Sequence, residues 1–297
     1  MHALTLLEKR NKHRGGSTKY YIDCANISEA LHITSLIRNK HDISILQAII
    51  SKYAPIQKRN RHIVIKIGPI ERSIKKEYEI GKALQEIPGF IKYICLFQCF
   101  DDTINTNGIP RKICNANQDE KNNKYVLIMP YIANSSIRDH KWNINDIEIL
   151  KSLLTQTILT TLMAFQKLGF LHGDLHLDNI LFKPTKQKII YYGTIPIKTY
   201  GYKIVIMDFE ASFINISQEK HIEYYWDNLL NMFSRCPYEI KPVSCNNIST
   251  IIQFCDNAKH TKASPTIIPK LLDLVDRIEL QETAKISVLK YDPFVFG

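Results

Sequence analysis

Four dispersed residues, Lys66, Asp174, Asn179 and Asp208, carry the chemistry that this sequence offers. Asp174 and Asn179 stand five residues apart in the polar segment His172-Gly-Asp-Leu-His-Leu-Asp-Asn179. That segment lies between a helical pattern and a short apolar run, where no propensity requires either residue. Asp208 follows directly on the apolar run Ile204-Val-Ile-Met207. A carboxylate at the end of a buried strand costs desolvation energy unless it meets a cation or donors. Asn179 and Asp208 together offer oxygen ligands to Mg²⁺, a hard cation held by one or two carboxylates and by substrate phosphates. Asp174 is then left to orient an attacking hydroxyl and accept its proton. Lys66, among Ile63, Val64, Ile65 and Ile67, is the positive charge to meet nucleotide phosphates. A buried lysine needs a partner, and the helical stretch after it offers Glu77 or Glu79.

These residues need particular elements to hold them. Arg61 to Ile67 has the β-branched density of a strand, and Gly68-Pro69 ends it. A charged helical pattern runs from Glu71 to Leu84, and Phe90 to Phe100 reads as one or two strands. Asp101 to Lys124, rich in Asn, Asp and Lys, reads as a solvated loop or insertion. Tyr125 to Met129 is a buried strand stopped by Pro130. From Asp146 to Leu168 apolar residues recur at steps of three or four, which predicts a long amphipathic helix. Asn145 or Asn143 can cap its start and Gly169 can close it. Ile180-Leu-Phe182 and Lys203 to Met207 are short strands, Lys183 to Tyr202 is a hairpin extension, and the stretch from Glu223 onward is mostly helical.

The composition is that of a globular protein: 45% hydrophobic and 23% charged residues exclude wholesale disorder. A net charge of +10 attracts polyanions. The basic residues nevertheless fall in small scattered groups such as Lys58-Arg59-Asn60-Arg61, so no specific nucleic-acid surface is expected. Seven cysteines without a Cys-x-x-Cys pair fit unpaired thiols of an intracellular, non-secreted protein. No apolar run reaches the ~18–20 residues of a membrane span.

Val64-Ile-Lys66, a helical Glu, His172-x-Asp174-x-x-x-x-Asn179 and Asp208-Phe209 together resemble the protein-kinase signature in order, spacing and context. The likeness covers roughly Ile63 to Met232. It implies an α+β, two-lobed protein-kinase-like fold with a small β-rich N-lobe over residues 61–129 and a larger, mostly helical C-lobe over 130–297. Residues 1–60 are an N-terminal extension of unassigned structure. ATP and Mg²⁺ are the implied cofactors. Lys66 and Asp174 would be catalytic, and Asn179 and Asp208 would hold the metal. Lys66, Glu77, Met129 at the gatekeeper position, Ile132 in the hinge, Asn179 and Asp208 would line the nucleotide site. His172 would support the loop from beneath the Asp-Phe turn. Asp227 resembles the buried helix Asp that ties the catalytic loop down.

Five departures qualify the likeness. Gly173 stands where the usual motif has Arg, His176 where most Ser/Thr kinases have Lys, and Glu210 where Asp-Phe-Gly has Gly. No Gly-x-Gly-x-x-Gly precedes Lys66. The cluster Arg14-Gly-Gly-Ser-Thr18 lies 50 residues before it, too far for a simple hairpin. The 19 residues from Asp208 to Asp227 lack Ala-Pro-Glu, so the segment that presents a peptide is short or missing. The His-Gly-Asp-x-His and Asp-Phe-Glu forms are similar to choline kinases, to aminoglycoside phosphotransferases and to divergent Ser/Thr protein kinases of large DNA viruses. The last resemblance implies a protein substrate, with location in the host cytoplasm or the virion. A small-molecule kinase and a pseudokinase that only binds a partner are the alternatives.

Overall fold

The computed structural model describes residues 31–40, 43–50, 61–69, 73–99, 124–133, 136–219, 221–239 and 245–279. The fold is α+β. Five strands, β1 (Leu31–Lys40), β2 (Ile43–Ile50), β3 (Arg61–Pro69), β4 (Cys95–Cys99) and β5 (Lys124–Pro130), form one antiparallel sheet in the order β1-β2-β3-β5-β4. Strand alternation gives the sheet two faces. Leu46, Ala48, Ile63, Ile65, Val126 and Ile128 build a small cluster on one face. Leu127 and Met129 on the other join the main core, together with Ile74, Ile80 and Leu84 of helix α1 (Ile74–Ala83) and its C-terminal turn.

Strands β1 and β2 belong to the stretch that sequence patterning leaves unassigned. Their pairing carries register shifts between Ile33 and Ser35 and between Leu36 and Arg38, which break the strict alternation by which a strand is recognised. Cys95, fully buried on β4, is disulfide-bonded, which corrects the expectation of unpaired thiols at that position. Spacing along the chain does not report which sulfurs meet in space. Cys236 and Cys255 are buried thiols. The Arg14 to Thr18 cluster and nearly all of the 101–124 insertion lie outside the described residues.

The rest is mainly helical. Helix α2 (Ile147–Leu168) follows a 3-10 turn, Ile144–Asp146, which Asn143 caps reciprocally with Asp146, and Gly169 ends the helix in a left-handed conformation. By length and composition Ile144–Leu168 matches a membrane span, but 61% of its apolar window is buried inside the molecule. Leu150, Leu153, Leu154, Ile158 and Phe165 are packed in the core, each worth about 1.5–3 kcal/mol of burial. Its buried Ser152, Gln156, Thr157, Thr160 and Thr161 all make hydrogen bonds.

Two short two-stranded sheets follow, β6 (Ile180–Pro184) with β9 (Tyr202–Ile206) and, between them in sequence, β7 (Ile189–Tyr192) with β8 (Ile195–Lys198). Gln156 borders β9: its Oε1 accepts from Ile204 N and its Nε2 donates to Tyr202 O. Helices α3 (Ile222–Glu239), α4 (Cys245–His260) and α5 (Ile268–Asp276) complete the described chain. A parallel bridge between Phe90 and Ile206 ties the segment after α1 to β9.

Candidate active site

Lys66 projects from β3 on the face opposite Ile63 and Ile65, and only 6% of it is exposed. Its Nζ lies 2.7 Å from Glu77 Oε2, 3.2 Å from Asp208 Oδ1 and 3.6 Å from Glu210 Oε2. The partner left open by the sequence is therefore Glu77, on the inner face of α1 and 1% exposed, while Glu79 is exposed. The hydroxyl of Tyr93 donates to the other oxygen, Glu77 Oε1. Gly81 makes this possible. A Cβ there would stand 2.3 Å from the Tyr93 ring, so only glycine lets the ring cross the helix to reach Glu77.

Burial by itself would lower the Lys66 pKa. The carboxylates of Glu77, Asp208 and Glu210 outweigh it and hold the ammonium above its ordinary range. Burial pushes the Glu77 carboxyl up, against the pull of Lys66 and the two donated hydrogen bonds. The two shifts point opposite ways for the state of the pair. Each Glu77 oxygen accepts one hydrogen bond, from the Lys66 ammonium and from the Tyr93 hydroxyl, and these two donors favour the ionised pair. Burial, and then the neighbouring Glu77 charge, raises the Tyr93 hydroxyl well above its usual range, so it stays a donor.

On the other wall, Leu171 to Asn179 links α2 to β6. His172 is buried, and its Nε2 donates to Met207 O at 3.0 Å. Its Nδ1 has no partner among the described residues. Burial lowers its pKa, which keeps the ring neutral. Gly173 has φ +77 and passes so close to Ala211 that a Cβ would lie 2.2 Å from the carbonyl oxygen. An arginine, or any side chain, is excluded here by that contact and by the left-handed backbone. Asn179 Nδ2 donates to Asp174 O at 3.0 Å and lies 3.1 Å from His176 Nε2, which is 3.4 Å from Asp174 Oδ2. Asp178 pairs with Arg138 at 2.6 Å.

Asp208 follows β9 with φ +65, a left-handed conformation rare for a residue with a Cβ and a mark of local strain. Glu210, where the resembled motif has glycine, does not adopt it. Phe209 is fully buried against Phe90, Tyr93, Phe170 and His172. The segment beyond it is strapped to the end of α2: Asn215 N donates to Leu168 O, Ile216 N to Gly169 O, and Gln218 Nε2 to Phe165 O and Gln166 O.

A cleft of about 940 Å³ separates the two walls. Val64, Met129 and Ile132 give it an apolar side, and Asp174, His176, Asn179 and Asp208 a polar one. The sequence-derived residues Met129, Ile132, Asp174, Asn179 and Asp208 thus meet in one cavity, with Lys66 and Glu77 reaching it through Asp208. Around Lys66 one ammonium faces three carboxylates, an excess of two negative charges that suits a divalent cation. Asn179 commits its NH₂ to the Asp174 carbonyl, which leaves its Oδ1 as the atom that could ligate a cation. Among the described residues no three His, Cys, Asp or Glu form a metal cage. The Asp208 carboxylate and the Asn179 Oδ1 are oxygen donors of the kind Mg²⁺ accepts alongside water and phosphate oxygens.

Asp227 does not tie the loop down. Its carboxylate is 48% exposed and pairs with Lys259 at 2.6 Å. The loop is held instead by Asn228 Oδ1, which accepts from Gly173 N at 2.9 Å, and by Asn231 Nδ2, which donates to Leu175 O at 3.2 Å. Asp227 and Asn228 are sequence neighbours, so they point about 100° apart on α3, and the helix is turned to present the amide. Asn228, Asn231 and Tyr93 are not evident from the sequence; an i, i+3 pair of asparagines on a helix is the signal it offers for the first two.

No family model matches the chain. It is similar to the uncharacterized protein ZK177.2 of Caenorhabditis elegans, 26% identical over 167 residues that cover 54% of this chain and 55% of that protein. It is also similar to the uncharacterized protein 098R of Invertebrate iridescent virus 6, 38% identical over 79 residues covering 23% of this chain and 13% of that protein. The chain thus spans about half the length of the first relative and about an eighth of the second. Neither name states an activity.

Proposed function

We propose that this chain is an ATP- and Mg²⁺-dependent phosphotransferase with a two-lobed, protein-kinase-like fold: a divergent Ser/Thr protein kinase of the type found in large DNA viruses. One observation carries the reading: Lys66 Nζ lies 2.7 Å from Glu77 and 3.2 Å from Asp208, at a cleft that also holds Asp174 and Asn179. The order of elements supports it as well, with a five-stranded sheet and one helix, the connection at 130–133, and then a mainly helical part.

In this mechanism Val64, Met129 and Ile132 receive the adenine ring. Lys66, fixed by Glu77, directs its ammonium at the phosphates. Asn179 and Asp208 would hold Mg²⁺, which when bound neutralises charge on the phosphate oxygens. Asp174 aligns the acceptor hydroxyl and takes its proton as the oxygen bonds to the γ-phosphorus. The bond from that phosphorus to the β-γ bridging oxygen breaks, and ADP leaves. Positioning and charge stabilisation supply the catalysis, with no covalent enzyme intermediate.

A second reading, a small-molecule kinase, is favoured by the short segment after Asp208, which is strapped to α2 rather than extended as a peptide platform. One experiment separates the readings. Saturating Mg-ATP, at about 100 times its dissociation constant, stabilises the fold by ~2.7 kcal/mol, and phosphate then moves to basic or acidic model proteins. Transfer to small alcohols alone selects the second reading. Absence of both the thermal shift and ATP consumption at millimolar Mg-ATP rejects catalysis.

A further inference from the structure

Ile37 and Arg38 of β1 and Ile45 of β2 border the cleft, and residues 31–50, which include both strands, contain no glycine. We propose that Arg38 is the residue that clamps the nucleotide's phosphates from above, replacing backbone amides with a guanidinium. The proposal rests on the nucleotide-cleft reading given above.

Register is the first argument. Arg38 pairs with Ile45, Ile45 with Lys66, and Lys66 with Leu127, one row running across four strands. Directly paired residues project to the same face of a sheet, so Arg38 and Lys66 share a face, two strand spacings or about 10 Å apart. That face is the one that lines the cleft. Arg38, Ile45, Val64 and Met129 all border the same cavity as Asp174 and Asp208.

Arg38 is aimed there by a bulge. Leu36 pairs with Leu46 and Arg38 with Ile45, so β1 spends two residues where β2 spends one, and Ile37 is the extra. In an unbroken ladder Ile37 would face Ile45 and Arg38 would pair with Ser44, which projects it from the opposite face. A shift of one residue reverses the side to which every later residue points, and bulges beside binding sites commonly re-aim a side chain in this way.

Charge is the second argument. The cleft is bordered by the carboxylates of Asp139, Asp174, Asp178 and Asp208. The Arg138 guanidinium is engaged by Asp178, and the Lys66 ammonium by Glu77, Asp208 and Glu210. Arg38 is exposed, and no carboxylate among the described residues is paired with it. A polyphosphate entering this acidic cleft would gain from a second sheet-side cation beyond Lys66, and a planar guanidinium binds phosphate oxygens two at a time.

The test uses the full chain and compares Mg-ATP, ADP and adenosine as probes, read by calorimetry beside thermal melting of each variant. Arg38→Gln is expected to weaken Mg-ATP binding by about tenfold or more, the loss of a charged hydrogen bond. ADP should be weakened less and adenosine not at all. Arg38→Lys should recover part of the ATP affinity, with unchanged melting of the free proteins showing that the hairpin is intact. If Arg38→Gln binds Mg-ATP as tightly as the wild type, or loses adenosine as strongly as ATP, the clamp is refuted while the nucleotide site stands. If the wild type binds none of the three probes, the nucleotide-cleft reading itself falls, and the clamp with it.

Discussion

The two walls of the cleft are built on opposite plans. On the sheet side, Lys66, Glu77 and Tyr93 are sealed in the core, and each charge is matched by donors or acceptors. On the loop side, the Asp174 carboxylate is 50% exposed, and its neighbours meet it through the longer contact to His176. One wall is part of what holds the protein folded, and the other is held by the fold without adding much to it. Damage to the first should therefore be read in stability, and damage to the second in turnover.

Asp174→Asn tests that contrast most severely. It should lower phosphate transfer by about 10²–10⁴-fold, the usual contribution of a positioned base, with little change in melting temperature or in Mg-ATP affinity. Equal turnover would remove Asp174 from its assigned role. Glu77→Ala should behave in the opposite way. It leaves the Lys66 ammonium buried without its main partner, so urea unfolding should show a loss of about 3–5 kcal/mol. A loss under 1 kcal/mol would mean that the sheet wall is not the stabilising one.

Asn228→Ala sharpens the comparison within the loop wall. It strips the acceptor from Gly173 N, an exposed amide, and should cost about 0.5–1.5 kcal/mol along with turnover. Asp227→Ala breaks only a half-exposed ion pair and should cost no more than about 1 kcal/mol, with turnover unchanged. The reverse ranking would restore Asp227 as the anchor.

Acid should reach the loop wall through His172, whose folded-state pKa lies below the ordinary 6.5 because the ring is buried. Between that lowered value and 6.5 the unfolded chain binds the extra proton and the folded chain does not. The contribution is therefore complete above about pH 6.5 and shrinks as pH falls, by at most ~1.4 kcal/mol per pH unit for one proton. Urea titrations at pH 7.5, 6.5 and 5.5, compared with His172→Gln, measure that slope. A slope unchanged by the substitution would assign it to other groups.

The sequence displays the site better than its frame. Lys66, Asp174, Asn179 and Asp208 are legible because polar residues at fixed spacing stand beside apolar runs that cannot use them. Helix α2 is legible because twenty-two residues repeat one period. The β1–β2 hairpin is not, because two shifts of register cancel the alternation that identifies a strand. Asn228 is not legible beside Asp227 because the rotation of a helix about its own axis is decided by what it packs against. Glu210 reads as a lost glycine in sequence, whereas in space the left-handed residue of that turn is Asp208 and the Glu210 carboxylate approaches Lys66.

Gln156 has a wider reach than its place in the middle of α2 suggests. By offering one acceptor and one donor to the outer edge of β9, it extends the pairing that Gly89 and Ile91 make with Ile206 and fastens that strand to the long helix. Two residues beyond the anchored Ile204, the backbone leaves the ladder and turns into Asp208. The course of the chain into Asp208 thus draws on an amide in the hydrophobic interior as well as on the bonds of Ile206 and Met207. A methyl-sized replacement at Gln156 would loosen the candidate site without touching any residue in it.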